Sequence, residues 1–167
     1  LQMTHIIMPG VGSAGATMES LKELGLIDAI KTAVLENKVP FLGVCVGMQI
    51  LFDHSEEDDA DCLGFLPGQV VKFDREKVRV PQMGWNKVAF SENMGYKAED
   101  DYFYFVNSYY VVPEDKSHIW GTADYGGLFT AAICKGNIYG TQFHIEKSAK
   151  AGLTLLNGFL SLKGGRL

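Results

Sequence analysis

The segment Val39-Pro40-Phe41-Leu42-Gly43-Val44-Cys45-Val46-Gly47 constrains the fold more than any other. It begins as an apolar run without alternation, the pattern of a strand buried on both faces. The run stops at Cys45, and Val46-Gly47-Met48-Gln49-Ile50-Leu51-Phe52 reads as the opening of a helix. A strand buried on both faces needs helices over both sides of its sheet, which points to an α/β architecture. A second run, Thr4-His5-Ile6-Ile7-Met8, ends at Pro9-Gly10-Val11-Gly12 and reads as another buried strand entering a tight turn. Between them Met18, Leu21 and Leu24, then Ile27, Ile30 and Val34, repeat at helical spacing, with Gly25 separating two helical pieces. Strand, helix, strand, helix is the order of a parallel βαβ unit.

Further along, residues 53–68 turn acidic and are expected to form a surface loop. Short β-type runs follow at Gln69–Phe73, Lys87–Phe90, Tyr102–Val106, Ser108–Val112 and His118–Ala123, and Phe129–Cys134 and Asn137–Phe143 are expected to pair with each other. Leu153, Leu156 and Leu160 mark a closing helix over 151–162. No repeat or linker interrupts the chain, so residues 1–167 read as one domain. A core strand at the very start, with no initiator Met, leads to the expectation that an N-terminal piece precedes it.

With a net charge of −5 and no basic tract, the chain is not expected to bind nucleic acid. Its longest near-apolar run, Val39–Met48, is too short to cross a bilayer and contains Pro40, Gly43 and Gly47, so no membrane partner is expected. Three widely spaced cysteines, Cys45, Cys62 and Cys134, suggest reduced thiols in a cytoplasmic compartment rather than a disulfide framework or a metal site.

Chemistry concentrates at Cys45. Gly43-Val44-Cys45-Val46-Gly47 is the cysteine form of the G-x-S-x-G nucleophile elbow, a sharp strand-to-helix turn that lifts the nucleophile clear of the sheet. A helix N-terminus there is expected to favour the thiolate and lower the cysteine pKa. Taken alone, the pentapeptide is equally consistent with a small core hydrophobe. In Gln142-Phe143-His144-Ile145-Glu146, residues two apart in an extended segment share a side at roughly 6.5–7 Å, so Glu146 is placed to orient the imidazole of His144. His5, His54 and His118 show no comparable carboxylate and are read as structural or solvated. The turn Pro9-Gly10-Val11-Gly12 can present N–H groups to an anion and, with the N–H of Val46, form an oxyanion hole; alone it would be a simple turn.

With these pieces in this order, the chain resembles the class I (triad) glutamine amidotransferases, and within them the glutaminase subunits of imidazole glycerol phosphate synthases. The resemblance rests on Pro9-Gly10-Val11-Gly12, Gly43-Val44-Cys45-Val46-Gly47-Met48-Gln49, Pro81-Gln82-Met83-Gly84-Trp85-Asn86, Tyr104-Phe105-Val106-Asn107-Ser108-Tyr109 and Gly140-Thr141-Gln142-Phe143-His144-Ile145-Glu146-Lys147-Ser148, and it spans essentially the whole chain. It implies a flavodoxin-like three-layer α/β/α fold with a mainly parallel central sheet and additional antiparallel strands, and it implies that a strand, a helix and a strand precede Pro9. It further implies Cys45, His144 and Glu146 as catalytic triad, and Gly10, Val11 and Val46 around the oxyanion. Gln49 would line the glutamine pocket, Glu57 would pair with the substrate α-ammonium, and backbone at Ser108 and Tyr109 would hold its carboxylate. The implied partner is a (β/α)8 cyclase subunit in a heterodimer that receives ammonia for histidine biosynthesis, with Trp85, Tyr104 and Lys147 at the interface. The substrate is L-glutamine, and no cofactor or metal is implied.

Three positions depart from the family pattern. Ile145 stands where Pro is usual between the catalytic His and Glu, which predicts an active triad with less preorganisation. Gln82 and Asn107 stand where the synthase subunits commonly have His, which leaves open a paralogue serving a sugar-modifying amidotransferase of surface-polysaccharide synthesis. A non-catalytic glutamine-sensing or scaffolding module is the alternative of another class, and the intact Cys45, His144 and Glu146 disfavour it.

Overall fold

The computed structural model describes residues 3–92 and 95–163. Strand β2 (Phe41–Cys45) is buried at every position because parallel neighbours flank it on both edges. These are β1 (Ile6–Gly10), with Gly10 opposite Cys45, and β11 (Ile138–Thr141), with Thr141 opposite Val44. Between β1 and β2 come α1 (Ala14–Glu23), capped by the Ser13 hydroxyl accepting from Ala16 N–H, and α2 (Ile27–Lys31), which runs into a π turn over Thr32–Glu36. Gly25 occupies the break between the two helices in a left-handed conformation, as the spacing predicts.

The sheet continues from β11 to the antiparallel β10 (Leu128–Lys135), then to β8 (Tyr109–Pro113) and β5 (Gly68–Lys72), ending in the two-residue strands β3 (His54–Ser55) and β4 (Ala60–Asp61). Strand β9 (Ile119–Asp124) also pairs with β10 and leads through β6 (Gln82–Phe90) to β7 (Asp101–Asn107). The α/β class with antiparallel additions therefore stands. Parallel pairing is carried by β1/β2, β2/β11 and β3/β5. An aromatic core of Phe103, Phe105, Trp120, Phe143 and Phe159 lies beneath β7, β9 and α4 (Ala149–Leu160), with Phe103 and Phe143 rings 4.2 Å apart.

Several expectations change. Strand β1 is not buried: among the described residues it pairs only with β2, its side chains alternate, and Ile7 is 42% exposed. The helix after Cys45 is a single turn, α3 (Val46–Gln49). Ile50, Leu51 and Phe52 leave it in a tighter turn because all three are fully buried and because Asp53 must reach β5, where its carboxylate accepts from Gly68 N–H at 2.9 Å. The acidic segment is not a plain loop; it contributes β3, β4 and a 3-10 turn at Glu57–Asp59, with Ser55 buried. Strand β6 begins at Gln82, five residues before the expected run, in a ribbon with β7. In α4 the buried face is Gly152, Leu155 and Phe159, while Leu153 and Leu160 are exposed.

Candidate active site

The turn at Cys45 is a steric consequence of the two glycines around it. A Cβ on Gly43 would strike the Gly47 carbonyl, and one on Gly47 would strike the carbonyl oxygen of Met8 on β1. Only glycine lets α3 fold back so closely on β1 and β2. Cys45 pays for that turn with φ 56° and ψ −114°, a conformation whose strain costs about 1–3 kcal/mol and is characteristic of functional sites.

Cys45 opens onto a cavity of about 340 Å³. It is lined by Gly10, Val11 and Gly12 after β1, by Val46, Gln49 and Glu57, and by Val106, Asn107, Ser108 and Tyr109 from β7 to β8. His144, Pro81 and Lys147 complete it. The cavity thus gathers Cys45 and His144 with the expected oxyanion and substrate residues from five separate stretches of chain. Glu146 does not line it and reaches it through His144.

His144 is 5% exposed and is fixed by backbone as well as side chain. Its N–H donates to Tyr104 O at 2.9 Å, a bridge that ties it to β7. Its carbonyl accepts from Ser148 Oγ at 2.6 Å, and the same hydroxyl accepts from Tyr104 N–H at 3.0 Å. His144 Nδ1 lies 2.8 Å from Glu146 Oε1. The expected geometry of that pair needs correction: the segment is not extended, because Ile145–Lys147 forms a 3-10 turn that brings the carboxylate back to the ring. Ile145 is buried.

The expectation of a lowered Cys45 pKa is also corrected. Burial pushes the thiol up to about 11, outweighing hydrogen bonds from Val46 N–H and Gln142 that favour the thiolate. A one-turn helix carries little dipole, so desolvation dominates. The thiol faces Val106 O at 3.9 Å.

Glu57 lines the cavity with its carboxyl raised by burial, against the Ala14 N–H that its Oε2 accepts at 3.1 Å. Gln49 Nε2 donates to Tyr109 O at 3.3 Å and to Gln142 Oε1 at 3.0 Å, leaving its buried Oε1 without a partner. Ser148 and Gln142 were not singled out as site residues by sequence reasoning; both lie in the motif around His144, and neither residue type signals its role alone. Trp85 is 53% exposed and stacks edge-on against Tyr104 across the β6–β7 ribbon, with ring centroids 5.8 Å apart. Two of the other histidines, His54 and His118, have more carboxylate company than expected, while His5 meets Thr4 and the Leu162 carbonyl. His54 lies 3.2 Å from both Asp59 and Asp61, and His118 3.5 Å from Asp115, but neither lines the cavity. Among the described residues no group of His, Cys, Asp and Glu is arranged to hold a metal ion, and no helix is long and apolar enough to cross a membrane.

Comparison with known proteins identifies the family. The family described as glutamine amidotransferase class-I matches residues 3–161. The chain is 47% identical over 164 residues to the imidazole glycerol phosphate synthase subunit HisH 2 of Methanococcus maripaludis, covering 94% of this chain and 80% of that one. It is 46% identical to the corresponding HisH subunit of Neisseria meningitidis serogroup B, over 93% and 77% of the two chains. Among solved structures, one described as a glutamine amidotransferase superposes with a TM-score of 0.71 at 19% identity, covering 95% of this chain and 78% of that one, a likeness of fold.

Proposed function

The chain belongs to the class-I glutamine amidotransferase family, and on that premise we propose that it is the glutaminase subunit of an imidazole glycerol phosphate synthase. The observation that carries the reading is the single cavity shared by Cys45, His144 and the four residues expected to hold glutamine.

In the reading, Cys45 Sγ attacks the side-chain carbonyl carbon of glutamine as its proton passes to His144. Glu146, at 2.8 Å from Nδ1, fixes the imidazole tautomer and steadies the imidazolium. Negative charge on the carbonyl oxygen is met by backbone N–H groups around Gly10–Val11 and at Val46. Collapse of the tetrahedral adduct breaks the C–N bond, His144 returns the proton to nitrogen, and ammonia leaves. Water, deprotonated by His144, then cleaves the thioester to glutamate and restores the thiol. Each step uses only groups of the chain, glutamine and water. Gln49 lines the glutamine pocket, Glu57 is suited to the α-ammonium, and backbone at Ser108 and Tyr109 to the carboxylate.

The ammonia acceptor follows from the relatives, which are named as synthase subunits and favour that acceptor over a sugar-modifying enzyme. A (β/α)8 cyclase subunit in a heterodimer is the proposed partner. Exposed Trp85 with Tyr104 on the β6–β7 ribbon, and Lys147 at the cavity, are the groups proposed to meet it. The chain is read as one amidotransferase domain acting in the cytoplasm, where its three free thiols would stay reduced. The test is reconstitution with the cyclase subunit from the same source, with glutamine as the nitrogen source. Imidazole glycerol phosphate should form in step with glutamate. Glutamate release with no transfer to that product would point to another acceptor.

A further inference from the structure

Two buried carboxamides beside the nucleophile take no part in the triad. Because β11 runs parallel to β2 with Thr141 opposite Val44, the next residue, Gln142, falls beside Cys45. Gln142 is fully buried, and its Nε2 lies 3.7 Å from Cys45 Sγ. Its orientation is fixed by its neighbours. Gln49 is 3% exposed, and its NH2 faces two acceptors, Tyr109 O and Gln142 Oε1. Tyr109 O is a carbonyl and can only accept, so the nitrogen of Gln49 must face it. Gln142 must then give its oxygen to Gln49 and its N–H to the sulfur.

An N–H donated to sulfur gains strength as the sulfur becomes negative, because hydrogen bonds to an ionised acceptor are roughly twice as strong as neutral ones. The site needs such a donor, since burial holds the resting group as a thiol. Val46 N–H is one donor, and it is also the group expected to serve the oxyanion.

We propose, building on the reading of Cys45 as nucleophile, that Gln142 is a positioning residue which holds the sulfur and stabilises its anionic form through one amide N–H, with Gln49 locking that amide in place. As the proton leaves Sγ for His144, the Gln142 hydrogen bond remains and strengthens. Val46 N–H is then free to serve the substrate oxygen. The nitrogen of Gln49 thus locks Gln142, while its own oxygen is buried without a partner.

The test reads the thiol directly, without glutamine or partner. Alkylation of Cys45 by iodoacetamide is followed against pH by peptide mass, which separates it from Cys62 and Cys134. Gln142→Met removes the donor at similar volume. Gln142→Glu keeps the bond from Gln49 but replaces the donor with an acceptor, and it carries the test by itself if the Met variant does not fold. In both variants Cys45 alkylation at a fixed pH below 9 should slow about tenfold or more, an upward displacement of the profile by about one pH unit. With the partner present, kcat should fall while KM changes much less. Profiles that superimpose on wild type, in variants that melt as wild type does, would overturn the proposal. Absence of glutamine turnover by the wild-type complex would instead defeat the glutaminase reading, leaving the alkylation result to stand or fall separately.

Discussion

Replacing Ser148 by Ala tests how firmly the fold holds His144. The Ser148 hydroxyl is fully buried; it donates to His144 O at 2.6 Å and accepts from Tyr104 N–H at 3.0 Å, stitching the turn after β11 to β7. Alanine leaves a methyl of nearly the same shape and removes both bonds. His144 O keeps the Lys147 N–H at 3.2 Å, so its loss is that of an ordinary hydrogen bond, about 0.5–1.5 kcal/mol. Tyr104 N–H loses its acceptor beside a fully buried side chain, which costs about 1–3 kcal/mol. The variant should therefore be destabilised by about 1.5–4.5 kcal/mol, lowering Tm by roughly 3–18 °C at about 2–4 °C per kcal/mol for a domain of this size. Glutamine hydrolysis should suffer in kcat more than KM, because His144 loses one of three backbone anchors while the groups expected to hold glutamine are untouched. Calorimetry and steady-state kinetics on the same preparation decide it. A Tm within about 2 °C of wild type would refute the argument.

Three further expectations follow from the same geometry. Ile145→Pro should be tolerated and active: Ile145 opens a 3-10 turn, where its N–H has no partner within the turn, and His144 at φ −82° and ψ 106° already has the extended conformation a following proline demands. A stability change within about 1 kcal/mol of wild type is expected, and a loss of several would contradict this. Trp85→Ala should weaken association with the proposed cyclase subunit by about 2 kcal/mol or more, roughly thirtyfold in Kd by titration calorimetry, whereas unchanged affinity would move the interface elsewhere. Burial raises both Cys45 and Cys62 from the ordinary 9.0 to about 11, so the folded chain retains protons that the unfolded chain releases. The stability these groups contribute is present below about pH 9 and is lost as pH rises to about 11. Urea midpoints should fall across that window, and less so when both cysteines are replaced by Ala.

The elbow was legible because sterics leave few alternatives: glycine on either side of Cys45 has no substitute when backbone carbonyls pack where a Cβ would be. Burial of β2 was legible for a similar reason, an unbroken apolar run. The face of α4 was not. Gly152, Leu155 and Phe159 have the same spacing as the leucine stripe one residue on, and periodicity cannot choose between stripes about 100° apart. Only the pocket beneath Phe159, against His5 and Tyr139, decides it. Strand β6 was half hidden because Met83, Gly84 and Trp85 belong to a ribbon with one exposed face, which lacks the pattern of a core strand. Gln142 was invisible as a site residue because a lone glutamine after a strand has no chemistry of its own; its role comes from the register that sets it beside Cys45. The Cys45 pKa was misjudged from motif alone, since the motif specifies the helix start but not the burial that outweighs it.

The most direct measurement of the central claim is glutamate release from glutamine by the wild-type chain and by Cys45→Ala, each alone and with the proposed cyclase subunit. Partner-stimulated release that disappears in Cys45→Ala is the predicted result. Release that survives the substitution, or a wild type that binds glutamine without turning it over in the complex, would contradict the account.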